Sequence, residues 1–139
     1  MAGIYMLDTD ICSYIIRGNY GSIDQALAAH ENDDICISNL TYAELWFGTM
    51  KKGSPRLAAQ VAAFIRMVRV VEMDTLAAVQ YAAIRCTLEA KGTPLDPMDM
   101  LIAACALAAG AVLITNNQKH FSQIKDLKTE NWRQRPAEK

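Results

Sequence analysis

Four short apolar runs constrain this chain more than any other feature: GIYML (3–7), DICIS (34–38), VRVVEM (68–73) and AVLIT (111–115). None alternates cleanly between apolar and polar residues, so each reads as a strand covered on both faces. Segments of helical length and period separate them: TDICSYIIRG, SIDQALAAHEN, NLTYAELWFGTMKK, RLAAQVAAFIRM, LAAVQYAAIRCTLEAK and PMDMLIAACALAAG. Gly18 and Gly21, Gly53-Ser54-Pro55, Asp74-Thr75, Gly92 and Gly110 supply the breaks and caps between them. Parallel strands need crossovers of this length, which predicts an α/β fold: a central, mainly parallel sheet of four or five strands between two helix layers. A short helix near QKHF and an edge strand around LKTEN complete the pattern. No repeat or linker interrupts it, so residues 1–139 are expected to form a single domain, with RQRPAEK (133–139) as a frayed tail.

The chain is 52% hydrophobic and 21% charged, enough apolar material for a sizeable core. No apolar run approaches the roughly 18 residues of a membrane span, and MAGIYMLDTD lacks the basic flank of a signal peptide, so the expected setting is cytoplasmic, with no membrane. Cys12, Cys36, Cys86 and Cys105 all fall in apolar-patterned segments and form no C-x-x-C pair, the usage of buried free thiols in a reducing compartment. His30 closes an apparent helix, and neither it nor His120 is assigned catalytic work. A net charge of −1 advertises no global attraction to nucleic acid, and the local basic clusters read as solvated faces.

Most of the 15 acids have mundane settings. Three do not. Asp8 follows the first strand directly, with N-cap of the next helix as its ordinary use. Glu44 lies in SNLTYAELWFG. Ser38 is the better cap there, which leaves Glu44 beyond the first turn. Asp99 opens the helix of TPLDPMDMLIAACAL, where Asp96 before Pro97 already serves as the cap. All three fall on the carboxyl-end rim of the sheet, where α/β folds bind ligands. Carboxylates gathered within ~5 Å repel by about 3 kcal/mol per pair at an effective dielectric of 20. Oxygen-only donors that repay this through a cation select Mg²⁺ or Mn²⁺. The pattern points to metal-dependent phosphoryl transfer.

The motifs MLDTDICSYII, ISNLTYAELWFG, GTPLDPMDMLIAACAL and LITNNQKHF with LKTENW run in order through nearly the whole chain. Together they resemble the PIN-domain ribonucleases of the VapC type, toxins of type II toxin–antitoxin pairs. The resemblance implies a three-layer α/β/α PIN domain. It places the family's invariant acids on Asp8, Glu44 and Asp99, binding Mg²⁺ (or Mn²⁺) for hydrolysis of RNA, with tRNA the first candidate, to leave 5′-phosphate and 3′-hydroxyl ends. Asp8 and Asp99 would then be direct ligands, and Glu44 would act through water or as general base. It further implies a VapB-type antitoxin whose tail covers the site groove, and a homodimer or a larger toxin–antitoxin hetero-oligomer. The aromatic-rich helix bearing Tyr42, Leu45, Trp46, Phe47 and Met50 offers either an antitoxin groove or ordinary core.

Two positions depart from the family pattern. Asp10 stands where asparagine is usual, as an extra metal-site acid or a cap. Asn117 replaces a frequent fourth acid, able to orient water or phosphate without adding charge. Thr9, Ser38 and Thr115 line the rim within reach of the carboxylates or a phosphate. Two rival readings remain. A haloacid-dehalogenase-like phosphatase is suggested by LDTDIC with Lys91, Asp96 and Asp99, although its later acids should follow a strand. The other is a non-catalytic, RNA-binding or operon-regulating PIN module.

Overall fold

The computed structural model of the protein describes residues 3–18 and 20–133. The elements run β1 (Ile4–Leu7), α1 (Thr9–Arg17), α2 (Gly21–Ala29), β2 (Asp34–Ser38), α3 (Asn39–Lys52), α4 (Pro55–Arg66), β3 (Arg69–Val71), α5 (Thr75–Ala90), α6 (Pro97–Ala109), β4 (Val112–Ile114), α7 (Gln118–Phe121) and β5 (Thr129–Glu130). Among the described residues the five strands form one sheet in the order β3-β2-β1-β4-β5. Every neighbouring pair is parallel. The fold is α/β, with helices on both faces of the sheet, and the expected edge strand is β5.

The continuous apolar strands are explained by the two cores. Met6, Cys36 and Leu113 point to one face, where they join Ile102, Ala103, Ala106, Ile84, Leu88 and Phe121 of α5, α6 and α7. Their neighbours Leu7, Ile37 and Ile114 point to the other, where they meet Ile11, Cys12, Ile23, Leu45, Val61 and Phe64 of α1–α4. Successive strand residues face opposite ways, so a sheet covered on both sides needs apolar side chains at every position. The alanine-rich α6 fits between α5 and the sheet because small side chains allow close approach.

Local chemistry sets where the helices begin and end. Ser38, Ser54 and Asp74 each accept a backbone N–H from the third residue of the helix that follows, and Asp96 accepts that of Met98 at 2.9 Å. At Gly110 the backbone turns left-handed (φ 67°), which a residue with a Cβ adopts at a cost, and this lets α6 stop just before β4.

Some expectations need correction. The strands are shorter than their apolar runs: β3 keeps only three residues of 68–73, and β4 three of 111–115. Pairing ends where the register with β2 and β1 runs out. Cys86 is exposed on the outer face of α5, whereas Cys12, Cys36 and Cys105 are buried. Arg133 is not frayed: its N–H donates to Asn131 Oδ1 at 2.9 Å and its guanidinium lies over two tyrosine rings. The rest of the expected tail, 134–139, lies outside the described residues. No helix among those residues is long and apolar enough to cross a membrane.

Candidate active site

The strand order decides where the site lies. The chain moves from β1 to β2 on one side of the sheet and returns to β4 on the other, so the crevice at the carboxyl ends of β1 and β4 is the topological switch point. Asp8 sits at its mouth. Its N–H donates to Ile114 O at 2.8 Å, which continues the β1–β4 ladder by one residue, and it then becomes the N-cap of α1. Both carboxylate oxygens are engaged: Oδ1 accepts Thr9 N–H at 2.9 Å, and Oδ2 accepts the Thr115 hydroxyl at 2.8 Å. Thr115 is fully buried and comes from 107 residues away. Its oxygen in turn accepts Asn117 N–H at 3.0 Å.

Asp10 crosses the same crevice. Its Oδ1 accepts Ile11 N–H at 2.7 Å and its Oδ2 accepts Asn116 N–H at 3.2 Å, so this acid ties α1 to the turn after β4. Glu44, more than a turn into α3, receives the Thr9 hydroxyl on Oε1 at 2.6 Å. A hydroxyl has one proton to give. Thr9 gives its own to Glu44, so in the 3.1 Å contact between Thr9 and Thr41 the donor is Thr41. Ser38 donates to Thr41 in its turn, at 3.4 Å. The result is a one-way chain, Ser38 to Thr41 to Thr9 to Glu44, that ends on a carboxylate and polarises toward it. Oε2 of Glu44 is left with no hydrogen bond among the described residues.

Asp99 lies in the first turn of α6, half-buried, and its Oδ2 stands 3.0 Å from His120 Nε2. Sequence reasoning set this histidine aside. The available signal was its position in a short helix directly after Thr115-Asn116-Asn117, on the same rim as the acids. Asp96 behaves as expected: it caps α6 and takes no part in the cluster.

Each remaining candidate has a definite place. Thr9 and Thr115 do hold carboxylates. Ser38 is buried and spent on capping α3 and on the hydroxyl chain, so it reaches the acids only through Thr41 and Thr9. Asn117 is exposed at the N-cap position of α7, makes no capping bond with its side chain, and lines an open groove with Lys119, His120, Ser122 and Gln123.

Electrostatics show what the arrangement lacks. Burial (Asp8 is 7% exposed), followed by the charge of Asp10, pushes the Asp8 carboxyl up to about 7. Asp99 adds to this, against the hydrogen bonds from Thr115 and Thr9. Burial also raises Asp10, with Asp99 contributing, despite its two backbone donors. No arginine or lysine pairs with Asp8, Asp10, Glu44 or Asp99 among the described residues; the only basic partner is the histidine on Asp99. No three acids, histidines or cysteines there form a ready-made metal cage. The donor chemistry nevertheless fits a hard divalent cation: the carboxylates offer oxygen only, and their mutual repulsion is what a bound cation relieves.

Comparison with known proteins converges on one family. The PIN domain profile matches residues 5–127. The chain is 33% identical to the tRNA(fMet)-specific endonuclease VapC of Shigella flexneri over 129 residues, covering 92% of this chain and 97% of that protein. It is 36% identical, over 129 residues and the same shares, to the tRNA(fMet)-specific endonuclease VapC of Salmonella typhimurium. Among solved structures, VapBC2 from Rickettsia felis bound to a DNA fragment from its promoter superimposes with a TM-score of 0.88 at 35% identity, covering 93% of this chain and 98% of that one.

Proposed function

The chain belongs to the PIN-domain family, in its VapC branch, and from that premise we propose that it is the ribonuclease toxin of a VapBC-type toxin–antitoxin pair, cutting tRNA in the cytoplasm with the help of Mg²⁺ or Mn²⁺. The observation that carries the proposal is Asp8 and Asp10 side by side at the switch point, with the charge of Asp99 acting on both and no arginine or lysine paired with any of them among the described residues. Membership of this family removes the haloacid-dehalogenase alternative.

Asp8 and Asp99 are the residues that would hold the metal, which when bound places positive charge against the scissile phosphate and makes water more acidic. The rest falls to the chain. Thr9 N–H and Thr115 fix both oxygens of Asp8, so its orientation is set before any ligand arrives. Thr9 occupies Oε1 of Glu44 and leaves Oε2 to take the proton from an attacking water. The hydroxyl chain behind Thr9 holds that carboxylate in place. Attack on the phosphorus with loss of the 3′ oxygen leaves 5′-phosphate and 3′-hydroxyl ends. The Asn117 amide, exposed at the groove beside His120, would orient the phosphate without adding charge.

A VapB-type antitoxin accounts for surface that the fold itself leaves open. On α3 and at the end of α4, Phe47 is 65% exposed, Met50 77% and Met67 78%, beside the part-exposed Tyr42. Leu45 is buried, so the aromatic helix serves both core and surface. Leu76 and Val79 on the outer face of α5 form a second exposed apolar surface, suited to another copy of the chain in a homodimer. The direct test incubates purified tRNA, initiator tRNA included, with the isolated protein in Mg²⁺ or EDTA, beside Asp99→Asn. Defined cuts that need both the metal and Asp99 support the proposal. Equal cutting by the variant, or no cutting of any tRNA or ribosomal RNA by metal-loaded protein, refutes it.

A further inference from the structure

One face of α1 carries chemistry that the acids do not use. Asp10, Tyr14 and Arg17 occupy positions i, i+4 and i+7, so a carboxylate, an aromatic ring and a guanidinium follow one another along a stripe that leads away from the rim. The Tyr14 and Tyr20 rings meet with centroids 4.5 Å apart at 50°. The Arg17 guanidinium lies 5.2 Å from the Tyr14 centroid. Arg133, from the far end of the described chain, lies 4.7 Å from Tyr14 and 5.4 Å from Tyr20. This cluster is joined to the acids by two hydrogen bonds: Asn116 Nδ2 donates to the Tyr14 hydroxyl at 3.4 Å, and Asn116 N–H donates to Asp10.

The two arginines are placed unlike their counterparts elsewhere. Arg69 forks onto Asp34 and Arg85 pairs with Glu89, whereas neither Arg17 nor Arg133 has a carboxylate partner among the described residues. Among the described residues Arg17 hydrogen-bonds through Nε alone, to Ser13 O at 3.4 Å. Arg17 is exposed and Arg133 part-buried, and both guanidinium groups lie over an aromatic bed that Asn116 links to the acids. Guanidinium forks bind phosphate oxygens, and both tyrosine rings and guanidinium planes stack on unpaired bases.

We propose that Tyr14, Tyr20, Arg17 and Arg133 form a subsite for the nucleotides flanking the scissile phosphate, gripping their phosphates and stacking a splayed base. The inference rests on the ribonuclease reading above. Single-stranded RNA is favoured over a protein segment because a strand whose phosphate lies at the acids must continue across this neighbouring face. A polypeptide that brings cations to the acids would meet two arginines of like charge here.

The test compares wild type with Arg17→Gln/Arg133→Gln, and in a second series with Tyr14→Leu and its conservative control Tyr14→Phe. Cleavage of tRNA in Mg²⁺ is followed as KM and kcat. Affinity of the Asp99→Asn background for a short fluorescent single-stranded RNA is measured across a salt series. The double variant is expected to raise KM about tenfold with kcat within about twofold. Its slope of log affinity against log salt should shrink by about 1.4, two lost phosphate contacts on a single strand. Tyr14→Phe should keep wild-type affinity, Tyr14→Leu should lose several-fold, and 4-thiouridine RNA should crosslink to the Tyr14 or Tyr20 peptide. Melting temperatures must match wild type, so that loss of fold is not mistaken for loss of grip. If wild type cuts RNA while KM, salt slope and crosslinks are unchanged, the subsite is overturned and the ribonuclease stands. If wild type cuts nothing, the reading beneath it has failed. Loss of antitoxin binding with RNA affinity intact would assign this face to protein instead.

Discussion

Acids stand at both ends of this sheet, and they are treated oppositely. At the amino ends, Asp34 accepts a fork from Arg69 at 2.6 and 3.1 Å, and Asp33 takes His30 Nδ1 at 2.8 Å together with Gly3 N–H at 2.9 Å. His30, and after it Gly3, holds the Asp33 carboxyl below its ordinary range. At the carboxyl ends, the buried Asp8 and the part-buried Asp10 feel one another's charge or that of Asp99, and both are pushed upward. The same residue type is compensated where it only joins strands and left uncompensated where a ligand is expected. Stability alone would favour the first arrangement at both ends. The second stores repulsion that a cation and a phosphate-handling reaction can use.

The sharpest break in the comparison is chemical. Asp99→Asn keeps the size of the side chain and removes its charge, so RNA cleavage should fall by roughly 10³-fold, the several kcal/mol a metal site supplies. A tRNA cleavage assay reads this directly, and an effect under about tenfold would place the chemistry elsewhere.

Stability should move the other way. Because the folded carboxyl of Asp8 titrates near 7 rather than 3.8, the folded state holds its proton longer than the unfolded chain. Stability linked to this group is full in acid and is lost as pH rises from about 4 to about 7. In EDTA at pH 8, Asp8→Asn should therefore be more stable than wild type by on the order of a few kcal/mol, with the gap closing below pH 4. Urea unfolding at several pH values measures it. Adding Mg²⁺ should stabilise wild type and leave the variant unmoved. At the opposite end the sign reverses. Asp33→Asn should destabilise the protein at neutral pH, and the difference should fade as acid protonates the native carboxylate.

Two smaller effects refine the picture. Thr9→Val removes the donor to Glu44 while keeping the shape of the side chain. It should lower kcat about tenfold and leave KM and fold nearly unchanged. Neither oxygen of Glu44 then keeps a hydrogen bond among the described residues, so a KM effect larger than the kcat effect would count against a role in orienting the base. Arg69→Gln breaks the best-formed pair at the amino ends, yet both partners are substantially exposed, so chemical denaturation should show less than about 1 kcal/mol.

Much of the site was legible because its residues announce themselves locally. Asp8, Glu44 and Asp99 each sit at or just past the end of a strand or the start of a helix: Asp8 caps α1 itself, whereas Glu44 and Asp99 lie in helices already capped by Ser38 and Asp96. Asp10 looked like a cap or an extra ligand, and its actual bond to Asn116 N–H spans 106 residues. His120 was set aside because its partner Asp99 lies 21 residues away on another helix, a distance no periodicity reports. Arg133 reads as tail because a terminal basic run looks solvated until Tyr14 of α1 and Tyr20, the N-cap of α2, are placed beneath it.

The order of strands and helices, their double-sided apolar character, the caps and the rim on which the acids fall were determined by the sequence alone, since each depends on contacts within one or two turns of chain. Only the tertiary structure decided that β1 lies between β2 and β4. That placement brings Thr115 onto Asp8, aligns three hydroxyls toward Glu44 and, among the described residues, leaves Asp8 and Asp10 without the basic partners given to Asp33 and Asp34. These outcomes depend on which distant segments share a buried crevice. Burial and charge neutralisation follow from the packed arrangement of the whole chain, and local pattern carries no record of it.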